Sequence, residues 1–339
     1  MRLFPMRLFP RSGRAPLCLP VVLLLLLAFA RSGLAATCTS QAEIPPTDRD
    51  ALAATAYRLA IAVGQQDFNT LQAALLPSVA AQWEGIRGAV ELAAPLLKGG
   101  QVHLLNAYLL DASTLTAPAD TQFFCSDATG SLTVTITMHA LPPGRYAVVL
   151  AAAPGAPLDG QMGFILAFQA GAGWKLGGFT AREGSLGGHD GVWYWSRARE
   201  VAKSNLGWSA WYCYDAARYL SVPVDFLSSP NLEKLSHEQD QLKDSPRDAF
   251  PYTLTDGPRS WRLDAVGLDT TLHEADLGVT YESIGVTDPA ASRTEAVAVL
   301  SALLKVHPGL RQNFHGLWAY AMKDGKRTFA IELPMAQIP

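Results

Sequence analysis

Asp111 together with Tyr57 or Tyr108 is the set of residues whose types and predicted positions suit proton-transfer chemistry. A carboxylate can take a proton from a substrate, and phenolic hydroxyls can donate hydrogen bonds to the negative charge that then develops. Asp111 ends a predicted strand that also carries Tyr108, whereas Tyr57 lies on a predicted helix. An aspartate at a strand end also commonly forms a turn with the backbone amides that follow it, which is the competing interpretation of Asp111.

Other familiar catalytic and metal-binding motifs do not occur in the sequence. The seven histidines form no HExxH pattern, and there is no CxxC pair. His307 and His315 flank Pro308 in a predicted turn, and His189 lies in a glycine-rich joint. No serine stands in a Gly-x-Ser-x-Gly frame. We therefore expect no metal and no cofactor, and a binding protein is favoured over an enzyme.

The first residues have the three parts of a cleavable secretory signal peptide. A basic region precedes a short apolar run at 21–30, and Gly33-Leu34-Ala35 supplies small residues for cleavage before Ala36. The basic residues are Arg2, Arg7, Arg11 and Arg14. The run is shorter than the roughly 20 residues that cross a bilayer. Cys38 does not directly follow the cleavage site, as a lipoprotein cysteine would, so we expect a soluble, exported product, secreted or periplasmic.

Composition limits the kind of partner that the exported chain can have. Removing the signal leaves about 300 residues, a length that usually means two domains. The full chain is 49% hydrophobic and 17% charged, with a net charge of −3, and its basic residues are scattered. This pattern favours packed cores and argues against nucleic acid as a partner. A small apolar ligand, a protein partner and self-association into a homo-oligomer all remain compatible with it.

Three of the four cysteines stay in the chain after removal of the signal: Cys38, Cys125 and Cys213. In an oxidising compartment three thiols permit one bridge. We predict a Cys38–Cys125 disulfide, because it would tie the N-terminal arm to a strand. Cys213 lies among aromatic residues and is expected to be a buried thiol rather than a nucleophile.

Hydrophobic periodicity predicts helices first and strands afterwards in the first half. Thr47 to Asp50 has the pattern of a capping box before a helix that ends at Gly64, and Asp67 is predicted to cap a second helix. A third helical stripe ends near Pro95. The period then changes to two, and six strands separated by turn residues follow up to Arg182. This order indicates an α+β domain in which an antiparallel sheet wraps on helices.

The order of elements from Thr47 to Arg182 resembles the NTF2-like superfamily, a cone-shaped fold also found in ketosteroid isomerases and polyketide cyclases. The similarity lies in four segments of the sequence: Ala51–Val63, Gln66-Asp67-Phe68, Gly85-Ile86 and Gly173-Trp174-Lys175-Leu176. The short hairpin that family members have near Pro77 to Trp83 is reduced or absent here. The match is one of pattern, because no diagnostic motif accompanies it.

The resemblance implies an apolar pocket enclosed by the helices and a concave sheet. Its candidate lining residues are Tyr57, Trp83, Tyr108, Phe124, Met138 and Phe164. The alternative is that these side chains simply fill the core, since periodicity does not separate a pocket from a core. The resemblance also implies an alternative function, an isomerase- or cyclase-type enzyme that uses Asp111 on a small apolar molecule.

The second half begins with a glycine-rich joint and a predicted aromatic-rich helix at 190–222. Trp208, Trp211 and Tyr219 fall near one face of that helix, either as core residues or as an exposed stripe that binds a partner. A polar, proline-punctuated segment at 231–256 is predicted to be a linker. The remainder, 257–339, is predicted to form a small β-β-α-β-β domain, while the NTF2-like domain is expected at 47–183.

Overall fold

The computed structural model describes residues 36–126, 133–156, 158–285 and 288–339. They contain both helices and sheets, so the predicted α+β class is confirmed. The predicted signal peptide, 1–35, lies outside the described residues. Residues Ala36–Pro339 form one compact unit, and the predicted domain limits remain a prediction. None of the helices in the described ranges is both long and apolar enough to cross a membrane.

Three helices open the first half: Pro46–Gln65 (α1), Phe68–Ala74 (α2) and Trp83–Leu97 (α3). The predicted cap at Thr47 is wrong, because the cap position is occupied by Pro45, two residues earlier, and α1 begins at Pro46. A proline suits that position since its fixed φ is already helical and its missing N–H would be unpaired there. The Asp67 cap of α2 is confirmed, as its carboxylate accepts a hydrogen bond from the Thr70 amide at 3.1 Å.

A five-stranded antiparallel sheet lies against these helices, in the order β1-β2-β5-β6-β7. Its strands are Thr37–Ser40 (β1), His103–Asp111 (β2), Arg145–Ala153 (β5), Gly160–Gln169 (β6) and Gly173–Glu183 (β7). One face packs on the helices around fully buried residues such as Leu59 of α1 and Phe164 of β6. Burial of this apolar face is the main source of stability for the layer.

The second face of the same sheet is covered by a separate three-stranded sheet, ordered β3-β4-β8. Its strands are Ala119–Ser126 (β3), Thr133–Leu141 (β4) and Leu227–Ser228 (β8). The expectation of a single sheet is therefore wrong. The physical reason is visible in β5, where Ala147–Ala151 are all buried, so the strand has two apolar faces and both must be covered.

The predicted Cys38–Cys125 disulfide is present and joins β1 to β3. Cys125 lies on the inner face of the second sheet, beside the fully buried Phe123. The bridge therefore links the edge strand of one sheet to the neighbouring sheet across a separation of 87 residues. Cys213 is unbridged and buried, and burial raises its thiol pKa to about 12.

The predicted aromatic helix at 190–222 is two helices, Gly191–Lys203 (α4) and Gly207–Ser221 (α5). The chain turns between them at Asn205, which has a left-handed φ of 57°. A Cβ on Gly207 would collide with the backbone oxygen of Lys243, so the start of α5 needs a glycine. The hydrophobic periodicity of the sequence continues through this break, so it predicts a single helix.

The predicted linker at 231–256 is structured. It contains the helix Pro230–Asp240 (α6) and the strand Tyr252–Asp256 (β9). Ser229 caps α6 by accepting a hydrogen bond from the Leu232 amide, and Leu235 is buried against the second-half core. Glu238 of α6 forms two hydrogen bonds with the Arg199 guanidinium of α4, at 2.7 and 2.8 Å. The polar composition of this segment did not reveal the helix, which docks through Leu235, Leu232 and the Glu238–Arg199 pair.

The second half is built on another five-stranded sheet, ordered β13-β12-β11-β10-β9. The remaining elements are Arg259–Asp269 (β10), Asp276–Glu282 (β11), Pro289–Val306 (α7), Gly316–Lys323 (β12) and Lys326–Pro334 (β13). The strands and helix of the predicted β-β-α-β-β unit are thus found, with β9 added at one edge. β11 and β12 run parallel because α7 connects them, whereas the other neighbours are antiparallel.

Candidate functional site

Asp111 lies where its side chain stabilises a turn. Its Oδ1 accepts hydrogen bonds from the hydroxyl and the amide of Ser113, at 2.6 and 2.9 Å. These bonds lower the pKa of Asp111, the side-chain bond most, so the carboxylate is a weaker base than usual. Tyr108 is buried between the two first-half sheets, and Tyr57 is 52% exposed on α1. The structure therefore does not bring these three residues together as a proton-transfer site.

The six predicted pocket-lining residues occupy three different environments, two in each. Trp83 and Phe164 pack on the helix-covered face, Tyr108 and Met138 pack between the two sheets, and Tyr57 and Phe124 are exposed. Tyr108 and Phe164 are on opposite faces of one sheet, since Val148 and Val149, their cross-strand partners, alternate on β5. The six side chains therefore cannot line a single pocket.

Cavities of the first half open at the margins of its helical layer. One of about 230 Å³ lies between α3 and β7 and is lined by residues that include Ile86, Ala89 and Phe179. Another of about 670 Å³ lies between the C-terminal ends of α1 and α3. Neither is lined by any of the six predicted residues, whereas a third cavity of about 330 Å³, between α1 and the start of α2, is lined by Tyr57 alone of the six. The centre of the helix-covered face is filled by its own side chains.

The aromatic residues of α5 pack inside the second half instead of forming an exposed stripe. Trp208 is 7% exposed and stacks on the ring of His307 with centroids 3.9 Å apart. Trp211 and Tyr219 are half-buried against the same core. Burial lowers the pKa of His307 to about 4, so this ring is neutral near pH 7. These contacts indicate that the aromatic residues dock α5 on the C-terminal sheet.

Glu183 anchors a polar network between the two halves. One of its oxygens accepts a hydrogen bond from the Tyr219 hydroxyl at 2.6 Å, and the other lies 2.7 Å from Nδ1 of His273. Burial, together with the bond to Glu183, raises the pKa of Tyr219 to about 12. Both oxygens of the carboxylate have a protein partner, so the network is complete without a ligand.

A second carboxylate–histidine pair lies at one end of the C-terminal sheet and has a third member. Asp276 begins β11, His315 directly precedes β12, and Glu332 lies near the end of β13. Parallel pairing of β11 with β12 puts their first residues side by side, and the antiparallel β13 returns to the same end. One potential ligand atom from each of the three residues lies within 4.8 Å of the others. We call these three residues the sheet-end cluster.

Two carboxylate oxygens of the sheet-end cluster have no hydrogen-bond partner among the described residues. Asp276 is 0% exposed, and although its Oδ1 lies 3.0 Å from Nδ1 of His315, its Oδ2 has no hydrogen-bond partner among the described residues. Oε1 of Glu332 is also buried and unpaired within the same ranges. A buried carboxylate that lacks a positive or donating partner is strongly unfavourable. Burial raises the pKa of Glu332, and the charge of Asp276 raises it further.

Gly316 makes room for the two carboxylates to approach each other. A Cβ at this position would lie 2.5 Å from Oε1 of Glu332 and 3.0 Å from Oδ1 of Asp276. Any other residue would therefore occupy the space between the acidic groups. The side chain of His315 is 44% exposed, so the cluster opens to solvent on the histidine side.

Sequence reasoning placed His315 in a turn, expected no metal site, and did not single out Asp276 or Glu332. A signal existed, because Asp276 is the first residue of one apolar alternating strand and His315 directly precedes another. Their proximity depends on which strands pair, and the sequence does not reveal that pairing. Glu332 joins them only through the register of the last hairpin.

Comparisons of the chain with protein-family models, with curated proteins and with solved structures each find no match. No relative therefore suggests an activity, and the functional conclusion depends on the chemistry of this chain's own residues.

Proposed function

We propose that this chain is an exported, non-enzymatic binding protein that holds a small cation in the sheet-end cluster. The observation that carries the proposal is the fully buried Asp276 carboxylate, which has one oxygen unpaired and a second carboxylate beside it. A bound cation would supply the missing charge and would offset the repulsion between Asp276 and Glu332. Export rests on the predicted signal peptide at 1–35.

The alternative of an isomerase- or cyclase-type enzyme has less support. Its base would be Asp111, whose carboxylate already accepts two hydrogen bonds from Ser113. Its apolar substrate would need a pocket beside that base, and neither the cavity of about 230 Å³ between α3 and β7 nor the one of about 670 Å³ between the ends of α1 and α3 is lined by Asp111.

The NTF2-like fold of the first half also remains a proposal. The packing of α1, α2 and α3 on one face of the five-stranded sheet supports it. The separate sheet of β3, β4 and β8 is a departure from the single wrapped sheet expected of that fold. A binding site in the C-terminal sheet does not depend on this resemblance.

Thermal unfolding in the presence of small cations tests the proposed function. The panel contains sodium, magnesium, calcium, manganese, zinc and methylammonium, each added to protein first treated with a chelator. Ligand at 100 times its Kd stabilises the native state by about 2.7 kcal/mol, which for a chain of this length corresponds to a rise in Tm of roughly 4 °C.

The rise in Tm on adding the cation should be lost in Asp276→Asn and kept in Asp264→Asn. Asp264 is a matched control because it lies on β10 of the same sheet and pairs with Arg262 at 3.1 Å. If no cation in the panel raises the Tm of the parent protein, the proposed function is wrong.

A further inference from the structure

We infer that the cation of the sheet-end cluster is a divalent transition metal, with Zn²⁺ as the representative ion. It would be bound by one carboxylate oxygen of Asp276, one of Glu332 and a ring nitrogen of His315. This inference rests on the proposed function and names its class of ligand. Nothing in the three comparisons assigns such a site.

The donor set favours a transition metal over calcium or magnesium. Ca²⁺ takes six to eight oxygen ligands, and Mg²⁺ takes six in a near-octahedral arrangement, so neither gains from an imidazole nitrogen. Imidazole suits zinc, copper, iron and nickel, and zinc binds mixed sets of histidine and carboxylate with four ligands. Two carboxylates also balance the charge of one divalent ion. Three protein ligands leave one position, which would face solvent beside the exposed side of His315.

The spacing of the donors is close to that of a zinc site. Ligand atoms about 2.0–2.2 Å from a tetrahedral zinc ion lie roughly 3.3 Å from each other. Nδ1 of His315 and Oδ1 of Asp276 are 3.0 Å apart, and all three donors lie within 4.8 Å. The 4.8 Å limit is wider than the spacing in a zinc site, so one of the three side chains must move slightly for all three donors to bind one ion. Glu332 is suited to it because its side chain has three rotatable bonds.

The Asp276–His315 pair can be compared with another buried carboxylate that is paired with a histidine. In the Glu183–His273 pair the carboxylate is also buried, but each of its oxygens has a protein partner, and within the described residues no second carboxylate joins the pair in a group of potential ligands. The sheet-end cluster differs in its unpaired Oδ2, its second carboxylate and the space left by Gly316. These three differences favour a ligand site over a structural ion pair.

Isothermal titration of the full protein with Zn²⁺ tests the inference. We expect one tight zinc site per chain, and a loss of affinity of at least about tenfold in each of Asp276→Asn, His315→Ala and Glu332→Gln, because each removes one of three ligands. His273→Ala is the matched control and should keep the parent affinity. Glu332→Gln keeps the test informative if the buried Asp276→Asn variant does not fold.

A titration with Co²⁺ gives an independent readout. Visible absorption of bound Co²⁺ reports its coordination, so the spectrum should show an imidazole ligand that disappears in His315→Ala and persists in His273→Ala. Circular dichroism of each variant checks that the fold is intact.

Three results would overturn the inference in different ways. Zinc affinity that is equal in the parent and in the three ligand variants would place the ion elsewhere. Stabilisation by Ca²⁺ or methylammonium, lost in Asp276→Asn but unchanged in His315→Ala, would reject the transition metal while the proposed function stands. Failure of every cation to bind would reject both the inference and the proposed function.

Discussion

Removal of the Cys38–Cys125 disulfide, by replacing both cysteines with serine, should cost a large part of the protein's stability. The bridge closes a loop across a sequence separation of 87 residues. Loop-closure entropy for a loop of that length gives about 4–5 kcal/mol at 25 °C, because the bridge restricts the unfolded chain. Cys125 is 2% exposed in the core between the two first-half sheets, so the substitution also places a hydroxyl in an apolar layer.

Urea unfolding followed by tryptophan fluorescence and by circular dichroism measures this loss as a fall in the midpoint concentration. The control is Cys213→Ser, which removes a buried thiol without opening a loop. It should cost less than the double variant, and reducing agent should destabilise the parent but not the double variant. A loss below about 1 kcal/mol in the double variant would refute the reasoning from loop closure.

Two further predictions concern the dependence of stability on pH. Hydrogen bonds from Arg199 lower the pKa of Glu238 to about 2, so the pair stabilises the fold above the unfolded pKa of about 4.5 and loses that contribution as pH falls towards 2. Glu238→Gln should therefore lower the free energy of unfolding by about 1 kcal/mol at pH 7, a figure reduced for solvent screening of this partly exposed pair, and by almost nothing near pH 2. Urea unfolding at both pH values measures the difference. Burial lowers the pKa of His307 to about 4, whereas the unfolded chain takes up this proton near pH 6.5. The free energy of unfolding should consequently fall by about 3 kcal/mol as pH drops from 6.5 to 4. His307→Phe keeps an aromatic ring beside Trp208 and should lack this pH-dependent loss. The same pH profile in the parent and in the variant would show that His307 is not its source.

Local sequence patterns were sufficient to locate most helices and strands. Alternation at Thr133–Met138 predicted β4, and the Asp67 cap predicted the start of α2. The disulfide was predictable because only three cysteines follow the predicted signal peptide and one lies in the N-terminal arm. Each of these signals acts over a few residues, or through residues too rare to be ambiguous.

Features that depend on distant contacts were not predictable. The first-half strands divide into two sheets because β5 is apolar on both faces, yet the sequence does not say which strands cover each face. The break before α5 depends on the approach of Lys243 to Gly207. The resemblance to the NTF2-like superfamily also implied that Tyr108 and Phe164 line one pocket, although they face opposite sides of a sheet. In each case tertiary packing overrides a correct local pattern.

Anomalous X-ray diffraction from a crystal of the protein grown with Zn²⁺, recorded on both sides of the zinc absorption edge, is the most direct test of cation binding. We expect one strong anomalous peak about 2.0–2.2 Å from oxygens of Asp276 and Glu332 and from a ring nitrogen of His315. A sheet-end cluster without a peak, with zinc bound only at other surfaces, would contradict this expectation.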